Sequence, residues 1–514
     1  MVKLIWENKN QHNTIELKNQ ELKAPELSEA IISPIIINND DNDPSNRYFI
    51  KKNDRKEIID DQWNNLLLCG DNKKFMKWLL TKFSNKIQLI YIDPPYATGS
   101  DFSLKVQIGK NQEIISDLAY EDKWVEGLDS YLNFMHERLI LMKELLSNKG
   151  SIYIHIDWHV SHYIKIMMDE IFGAENFRNE IVWAYPAASA RTRRFFIRSF
   201  DTILFYSKSD DYTFNDDPKI YMEYSDRVKN ALKKDDKGIF YYRGGSHDGK
   251  KLSRKVYVNQ KGIFPRDVWN DIPYIRANTL EYQGFSTQKP ERLLKRIILA
   301  SSNFNDLIAD FFCGSGTTLV VGEKLGRKWI GCDISPNNIH LTKKRMLDIK
   351  NSNDIVNWKK KFNKKCQPFL VLNFNFDKKK QIIPANFLSK RFHDNQELFS
   401  SIACDFEVNI KEDINRIIIE LCNYNLHCLD VVSKTLQSKM SHFSDWIDYW
   451  AIDFNYQGDV FNSMWISYRT PKNRSLKLVS NPFQYNELGS YEIMIKVIDI
   501  FGNETLKPFK IEIK

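Results

Sequence analysis

Residues able to do chemistry concentrate in two stretches of this chain. In the first, Ile90-Tyr91-Ile92-Asp93-Pro94-Pro95-Tyr96, an apolar run ends in a carboxylate, two prolines and a phenol. The prolines donate no backbone hydrogen bond and hold φ near the extended value, so a strand must stop there. At the carboxyl end of a strand in a parallel sheet, such a turn presents Asp93 as an acceptor, the Pro94 and Pro95 carbonyls without competing local donors, and Tyr96 as an aromatic face. Those groups suit a flat ring bearing an amino group. The same pattern also fits a strand closed by a tight turn, with Asp93 capping nearby backbone. In the second stretch, residues 307 to 312 read as a buried strand, Gly314-Ser315-Gly316 as a loop and Thr317 to Leu325 as a helix. A second strand, Lys328 to Cys332, is closed by Asp333. In such a βαβ unit the glycines let backbone approach a ligand and the acid accepts both hydroxyls of a ribose. A pyrophosphate fingerprint calls for Gly or Ala three residues after the second glycine, and Leu319 stands there. That departure favours an adenosyl ligand without a pyrophosphate.

Asp93-Pro94-Pro95-Tyr96 resembles the catalytic motif of the amino-directed DNA methyltransferases, which move a methyl group from S-adenosylmethionine to the exocyclic nitrogen of adenine or cytosine. Leu307-Ile308-Ala309-Asp310-Phe311-Phe312-Cys313-Gly314-Ser315-Gly316-Thr317-Thr318 resembles their cofactor loop, and the order, catalytic turn first, resembles the β-type, permuted members. The resemblance covers about residues 60 to 350 and implies a Rossmann-like α/β methyltransferase domain. It places Asp93, Pro94, Pro95 and Tyr96 at the reacting base. Toward the S-adenosyl-L-methionine cofactor it places Asp71, Thr287, Lys289 and Pro290 together with Asp310, Phe312, Gly314, Gly316, Thr317 and Asp333. Aspartate as the first residue of the turn points to adenine N6, since cytosine-N4 relatives more often carry Ser. The implied partner is double-stranded DNA within a restriction-modification setting, with a homodimer and a cognate restriction endonuclease as further expected partners and no metal. Cytosine-N4 methylation, RNA methylation and a non-catalytic DNA-binding role are the alternatives.

Several elements must position these groups. Asn65-Leu66-Leu67-Leu68-Cys69 reads as a strand, and Gly70-Asp71 as its end, with Asp71 either capping the next helix or lying at the cofactor. The polar segment from Thr98 to Asp122 is too long for an ordinary connection and is expected to be a mobile element near the substrate. Ser151 to His159 reads as a strand whose end gathers polar and aromatic groups. Its histidines, with His162, alternate in direction and lack a separate ligand motif, so they are not expected to bind metal. Arg178 to Trp183 and Phe200 to Tyr206 read as strands. Between them Arg191, Arg193, Arg194 and Arg198 interleave with Phe195 and Phe196, a pattern suited to phosphate contact and base stacking; a solvated basic loop is the alternative. The resemblance assigns target recognition to residues 209 to 283. Phe285 to Pro290 then opens a helix, Glu291 to Ala300.

The expected domains are an N-terminal arm (1–60), the catalytic domain (61–350), a linker with a helical segment (351–444) and a small β-rich, sandwich-like domain (445–514). Ile414 to Leu421 is read as helical, with Cys422 and Cys428 in its core, and the β-rich tail as dispensable for the chemistry. A length of 514 residues suits two or three domains. Charged residues make up 27% and no apolar run approaches the ~20 residues that cross a bilayer, so a cytoplasmic protein without membrane contact is expected. Seven cysteines without metal-type spacing read as reduced thiols. The net charge of +8 permits a polyanionic partner without singling one out.

Overall fold

Side-chain alternation along the central strands builds the fold. Leu66 and Leu68, Ile90 and Ile92, and Ile152 and Ile154 point into one apolar core. Leu67, Leu89, Tyr91, Ile308 and Trp329 point into another on the opposite face, as a period of two requires. The computed structural model describes residues 3–6, 9, 25–31, 65–99, 101–109, 113–122, 124, 127–185, 194–247, 250–374, 404–426, 432, 434–458 and 460–514. Arg191, Arg193 and Cys428 lie outside them.

In chain order the first part comprises β1 (Glu26–Ile31), β2 (Asn65–Cys69), α1 (Asn72–Phe83), β3 (Ile87–Ile92), β4 (Asp101–Ile108), β5 (Glu113–Glu121), α2 (Leu128–Leu145), β6 (Leu146–Ile156), α3 (Ser161–Phe172), β7 (Phe177–Ala184) and β8 (Phe200–Ser207). There follow α4 (Asp226–Asn230), β9 (Lys233–Asp235), β10 (Gly238–His247), β11 (Lys250–Tyr257), β12 (Val268–Trp269), α5 (Glu291–Ser301), β13 (Leu307–Asp310), α6 (Thr317–Lys324), β14 (Lys328–Asp333), α7 (Pro336–Leu347) and β15 (Phe369–Asn373). The C-terminal part holds β16 (Cys404–Asp413), β17 (Arg416–Leu426), α8 (Lys434–Gln437), β18 (Ile447–Asp453), β19 (Phe461–Asn462), β20 (Trp465–Tyr468), β21 (Phe483–Gln484), β22 (Gly489–Asp499) and β23 (Glu504–Ile513).

Among the described residues, eleven strands form the main sheet in the order β12-β7-β8-β6-β3-β13-β14-β2-β15-β1-β19. The run from β6 to β15 is parallel, so the carboxyl ends of β3, β13, β14 and β2 open along one edge. Helices α1, α2 and α3 cover one face and α5, α6 and α7 the other. The chain is therefore an α/β protein of Rossmann-like type, with additional β-sheets toward its C-terminus. Leu319 fills the place of the missing third glycine by packing on β14: a Cβ on Gly331 would lie 2.3 Å from its Cδ1.

Tertiary pairing corrects several sequence expectations. The N-terminal arm supplies β1, which pairs antiparallel with β15, so residues on both sides of the expected catalytic boundaries complete the sheet. Ile414 to Leu421 belongs to a β-hairpin, not a helix: β16 and β17 pair over their length, and Cys422 is exposed on β17. The apolar alternation Ile417, Ile419, Leu421 faces one core, a period of two that short-range reading took for a helical fragment. Residues 98 to 122, expected as a mobile element, contain the β4–β5 hairpin. Nor is the tail a separate appendage. The β16-β17-β21 and β20-β18-β22-β23 sheets share one core, while β19 pairs with β1 inside the main sheet.

Candidate active site

The Asp93 turn is held from three directions. Ala97, just past the Asp-Pro-Pro-Tyr motif, has φ of 54°, a left-handed conformation that disfavours a residue with a Cβ. Asp122, fully buried, accepts hydrogen bonds from the Ala97 amide at 2.9 Å and from the Thr98 amide and hydroxyl at 2.8 Å each, and from the Trp124 indole at 3.2 Å. Those four donors offset the strain and lock the turn. Within it, the Tyr96 hydroxyl donates to Asp93 Oδ1, and Lys289 Nζ lies 2.5 Å from Asp93 Oδ2 and 3.2 Å from Tyr96 Oη. Burial and the adjoining Asp93 charge push the Tyr96 phenol well above its ordinary value, so it stays a donor. Lys289 stands just before Pro290, the N-cap of α5.

Beside this turn lies a cavity of about 310 Å³. Asp71, Asp93, Pro95, Thr287, Lys289, Asp310, Phe312, Gly314, Thr317 and Asp333 all line it. Pro94, Tyr96, Pro290 and Gly316 do not. Pro290 instead serves as the N-cap of α5. Gly316, at φ of 74°, is needed because a Cβ there would meet Thr342 Cγ2 at 2.5 Å. Asp71 caps α1 through the Lys73 amide at 2.9 Å and also lines the cavity.

Two lining carboxylates have only neutral donors. Asp310 accepts from the Phe312 amide at 3.0 Å and from the Thr318 hydroxyl. Burial, with the charges of Asp93 and Asp333 adding to it, pushes Asp310 up to about 7. Asp333 accepts from the Gly314 amide at 2.9 Å, the Ser335 amide at 2.9 Å and Asn338 Nδ2 at 3.0 Å, and burial still raises it above the usual carboxylate range. A wall with uncompensated acidic groups of this kind attracts a cationic ligand. Gly314, at φ of 49°, leaves open the space that a Cβ would fill 3.3 Å from Phe285. The loop from Thr287 to Pro290 is tied to the glycine loop through Glu291, which pairs with Arg345 at 3.0 Å, and Arg345 donates to the Thr317 hydroxyl at 2.9 Å.

Several residues here escaped sequence reading. Arg138 on α2 donates to Asp71 at 3.0 Å and to Asn72 at 2.6 Å, while Asn72 donates to the Phe311 carbonyl at 2.8 Å, so one guanidinium joins α2 to the ends of β2 and β13. Tyr91, a lining residue, lies 2.9 Å from His155 Nδ1; His155 Nε2 is 3.1 Å from Asp201, which accepts from Tyr185 at 2.9 Å. His155 sits near the end of β6, the strand beside the one that carries the motif, and that placement was the available signal. Arg194 and Arg198 are exposed in the segment leading into β8. Among the described residues no group of His, Cys, Asp and Glu is arranged to hold a metal ion.

Residues 87–344 match the family model described as DNA methylase. The chain is 33% identical to the type II methyltransferase M.EcaI of Enterobacter cloacae over 314 residues, 53% of this chain and 67% of that protein. It is 30% identical to the DNA adenine methyltransferase YhdJ of Escherichia coli over 264 residues, 51% of this chain and 77% of that protein. Among solved structures, a DNA modification methylase of Thermus thermophilus complexed with S-adenosyl-L-methionine is 16% identical, with a TM-score of 0.35, covering 60% of this chain and 100% of that one.

Proposed function

The chain belongs to the DNA methylase family of N6 and N4 enzymes, and on that premise we propose that it methylates the N6 amino group of adenine in double-stranded DNA. The observation that carries this reading is the Asp93 turn, locked by Asp122, at the mouth of a cavity walled by Asp310 and Asp333. The family's methyl donor is S-adenosyl-L-methionine, and the cavity fits it. Asp333 is assigned to the ribose hydroxyls, Phe285 and Phe312 offer apolar faces, the open cradle at Gly314 admits backbone approach, and Asp310 answers positive charge. When bound, the donor supplies a methyl group on a cationic sulfur, an electrophile that needs no metal or covalent enzyme intermediate.

The protein's own work is positioning. Asp93 and the Pro94 carbonyl accept the two amino hydrogens of the base, which draws the nitrogen lone pair out of ring conjugation and aims it into the cavity. Each Asp93 oxygen already holds one donor, Tyr96 or Lys289, and a carboxylate oxygen has a second lone pair to offer. The Tyr96 hydroxyl is thereby assigned to orienting Asp93, and Lys289 to the base side of the site. After transfer the nitrogen sheds one proton, which the Asp93 carboxylate is placed to receive. The target must leave the duplex first, at a cost of a few kcal/mol. Residues 209 to 283, which include the β9–β10–β11 sheet, are assigned to sequence recognition, and Arg191, Arg193, Arg194 and Arg198 to the phosphate backbone. The adenine-type name of YhdJ and the aspartate that opens the turn both favour adenine over cytosine; similarity to the Mod subunit of the type III restriction-modification enzyme StyLTI of Salmonella typhimurium supports a cognate endonuclease as partner.

Expression in a host free of DNA methylation, followed by methylation-sensitive long-read sequencing and nucleoside analysis, tests the reading. N6-methyladenine at one recurrent sequence is the expected result. N4-methylcytosine, or modified RNA with unmodified DNA, would overturn it.

A further inference from the structure

At the edge where the Asp93 turn lies, strand polarity gathers a second set of residues. Strand β6 runs parallel to β3, with Ile154 opposite Ile92, and leaves the sheet through Asp157, Trp158 and His159. Strand β8 is antiparallel to β6, with Thr202 opposite Ile156, so residues 194 to 200 enter at the same edge. The outcome is a cluster of exposed flat groups. The Arg198 guanidinium lies over the Trp158 ring at 3.8 Å and over the Phe195 ring at 5.5 Å, and His159 lies 3.7 Å from Trp158 between centroids. Trp158 is nevertheless 45% exposed, Phe195 60% and Phe196 100%.

A soluble surface rarely leaves three large aromatic rings uncovered in one place without a partner for them. The occupant is indicated by charge and shape together. Arg198 brings positive charge to the rings, and the neighbouring carboxylate, Asp157, is taken up by His159 at 2.7 Å. Positive charge with open aromatic faces suits unstacked nucleobases on a polyanionic strand, and suits neither a lipid nor an apolar peptide as well. Position narrows it further, because the cluster stands one strand away from the turn that receives the target base.

We propose that Trp158, Phe195, Phe196 and Arg198 form a stacking surface for the bases left exposed when the target adenine is drawn out of the duplex. Phe196, fully uncovered, enters the gap, and the Trp158–Arg198 stack supports the displaced neighbour. The inference rests on the adenine-methylating function above and adds the residues that hold the duplex open. Single-turnover methylation compares a matched duplex with one whose target adenine faces an abasic site, where no pair has to be broken. Phe196→Ala should lose roughly tenfold in kcat/KM on the matched duplex, the scale of one stacked base, and much less on the abasic duplex. Trp158→Ala should show the same split, with a weaker 2-aminopurine fluorescence rise at the target position. Equal losses on both substrates, or no loss on either, would overturn the stacking role. A wild-type protein that methylates adenine in neither duplex would overturn the underlying function instead.

Discussion

Two acids, Asp310 in the cavity wall and Glu29 on β1, are buried to the same degree, each 3% exposed, yet they are held in opposite ways. Asp310 meets only an amide and a hydroxyl, and burial pushes it up to about 7. Burial would raise Glu29 too, but Lys343 at 3.0 Å and Lys496 at 3.1 Å, with Ser463 and Tyr449, hold it well below the usual carboxylate range. Those partners come from α7 and from the C-terminal sheet, so Glu29 closes the seam between methyltransferase core and tail. Asp448 repeats the arrangement nearby, pairing with His340 at 2.8 Å and with Lys344. One buried acid is neutralised by lysines of the same chain, and the other faces the cavity with neutral donors alone. Burial alone therefore does not decide whether an acid holds its charge; the charge of the neighbours does.

The seam should fail hardest. Glu29→Ala leaves Lys343 and Lys496 buried without their acid and is expected to cost about 3 to 5 kcal/mol of unfolding free energy in denaturant titration. Replacing Glu29, Lys343 and Lys496 together by apolar residues should recover much of that. A chain ending at Ser444 loses Lys496, Asp448 and β19 at once, and it should aggregate or unfold at lower denaturant, against the dispensable tail that its strand pattern suggests. A truncated chain as stable as the full one would dissolve the contrast between the two acids.

The cavity should lose function with its fold intact. Asp93→Ala is expected to lower single-turnover methylation by about 10²–10³-fold, with S-adenosyl-L-methionine affinity within a few-fold by calorimetry and an unchanged unfolding midpoint. Loss of stability alongside activity would show that Asp93 belongs with Glu29. Asp333→Ala should weaken S-adenosyl-L-methionine binding by about 1.5 to 3 kcal/mol, the range for hydrogen bonds to a charged group; unchanged affinity would remove it from the ribose site.

The smallest effect is the most diagnostic. Between the ordinary carboxylate value and about 7, the free folded protein keeps a proton on Asp310 that the unfolded chain has lost. Its contribution to stability therefore falls as pH rises through that window and is lowest above it. A cationic ligand favours the ionised acid, so the affinity for S-adenosyl-L-methionine relative to its neutral demethylated product should rise by up to about tenfold from pH 6 to pH 8. Asp310→Asn should flatten that ratio. An equally steep ratio in the variant would place the responsible acid elsewhere.

Local sequence was enough to announce the α/β core, and the family resemblance set Asp71, Asp93, Asp310 and Asp333 at one site; parallel strands bring the ends that carry them to one edge. It could not reveal the partner of Lys289, which pairs with Asp93 across 196 positions, or the role of Asp122, whose clamp on Ala97 sits beyond an intervening hairpin. Least legible was the seam, where Glu29 meets Lys496 across 467 positions and an apparent arm and linker become strands β1 and β15 of the main sheet. The reason is physical. Hydrophobic periodicity is local and repeats, so a few residues reveal a strand, whereas a buried ion pair is a single contact between distant residues. Which lysine neutralises which acid is decided only when the sheet edges have closed on one another.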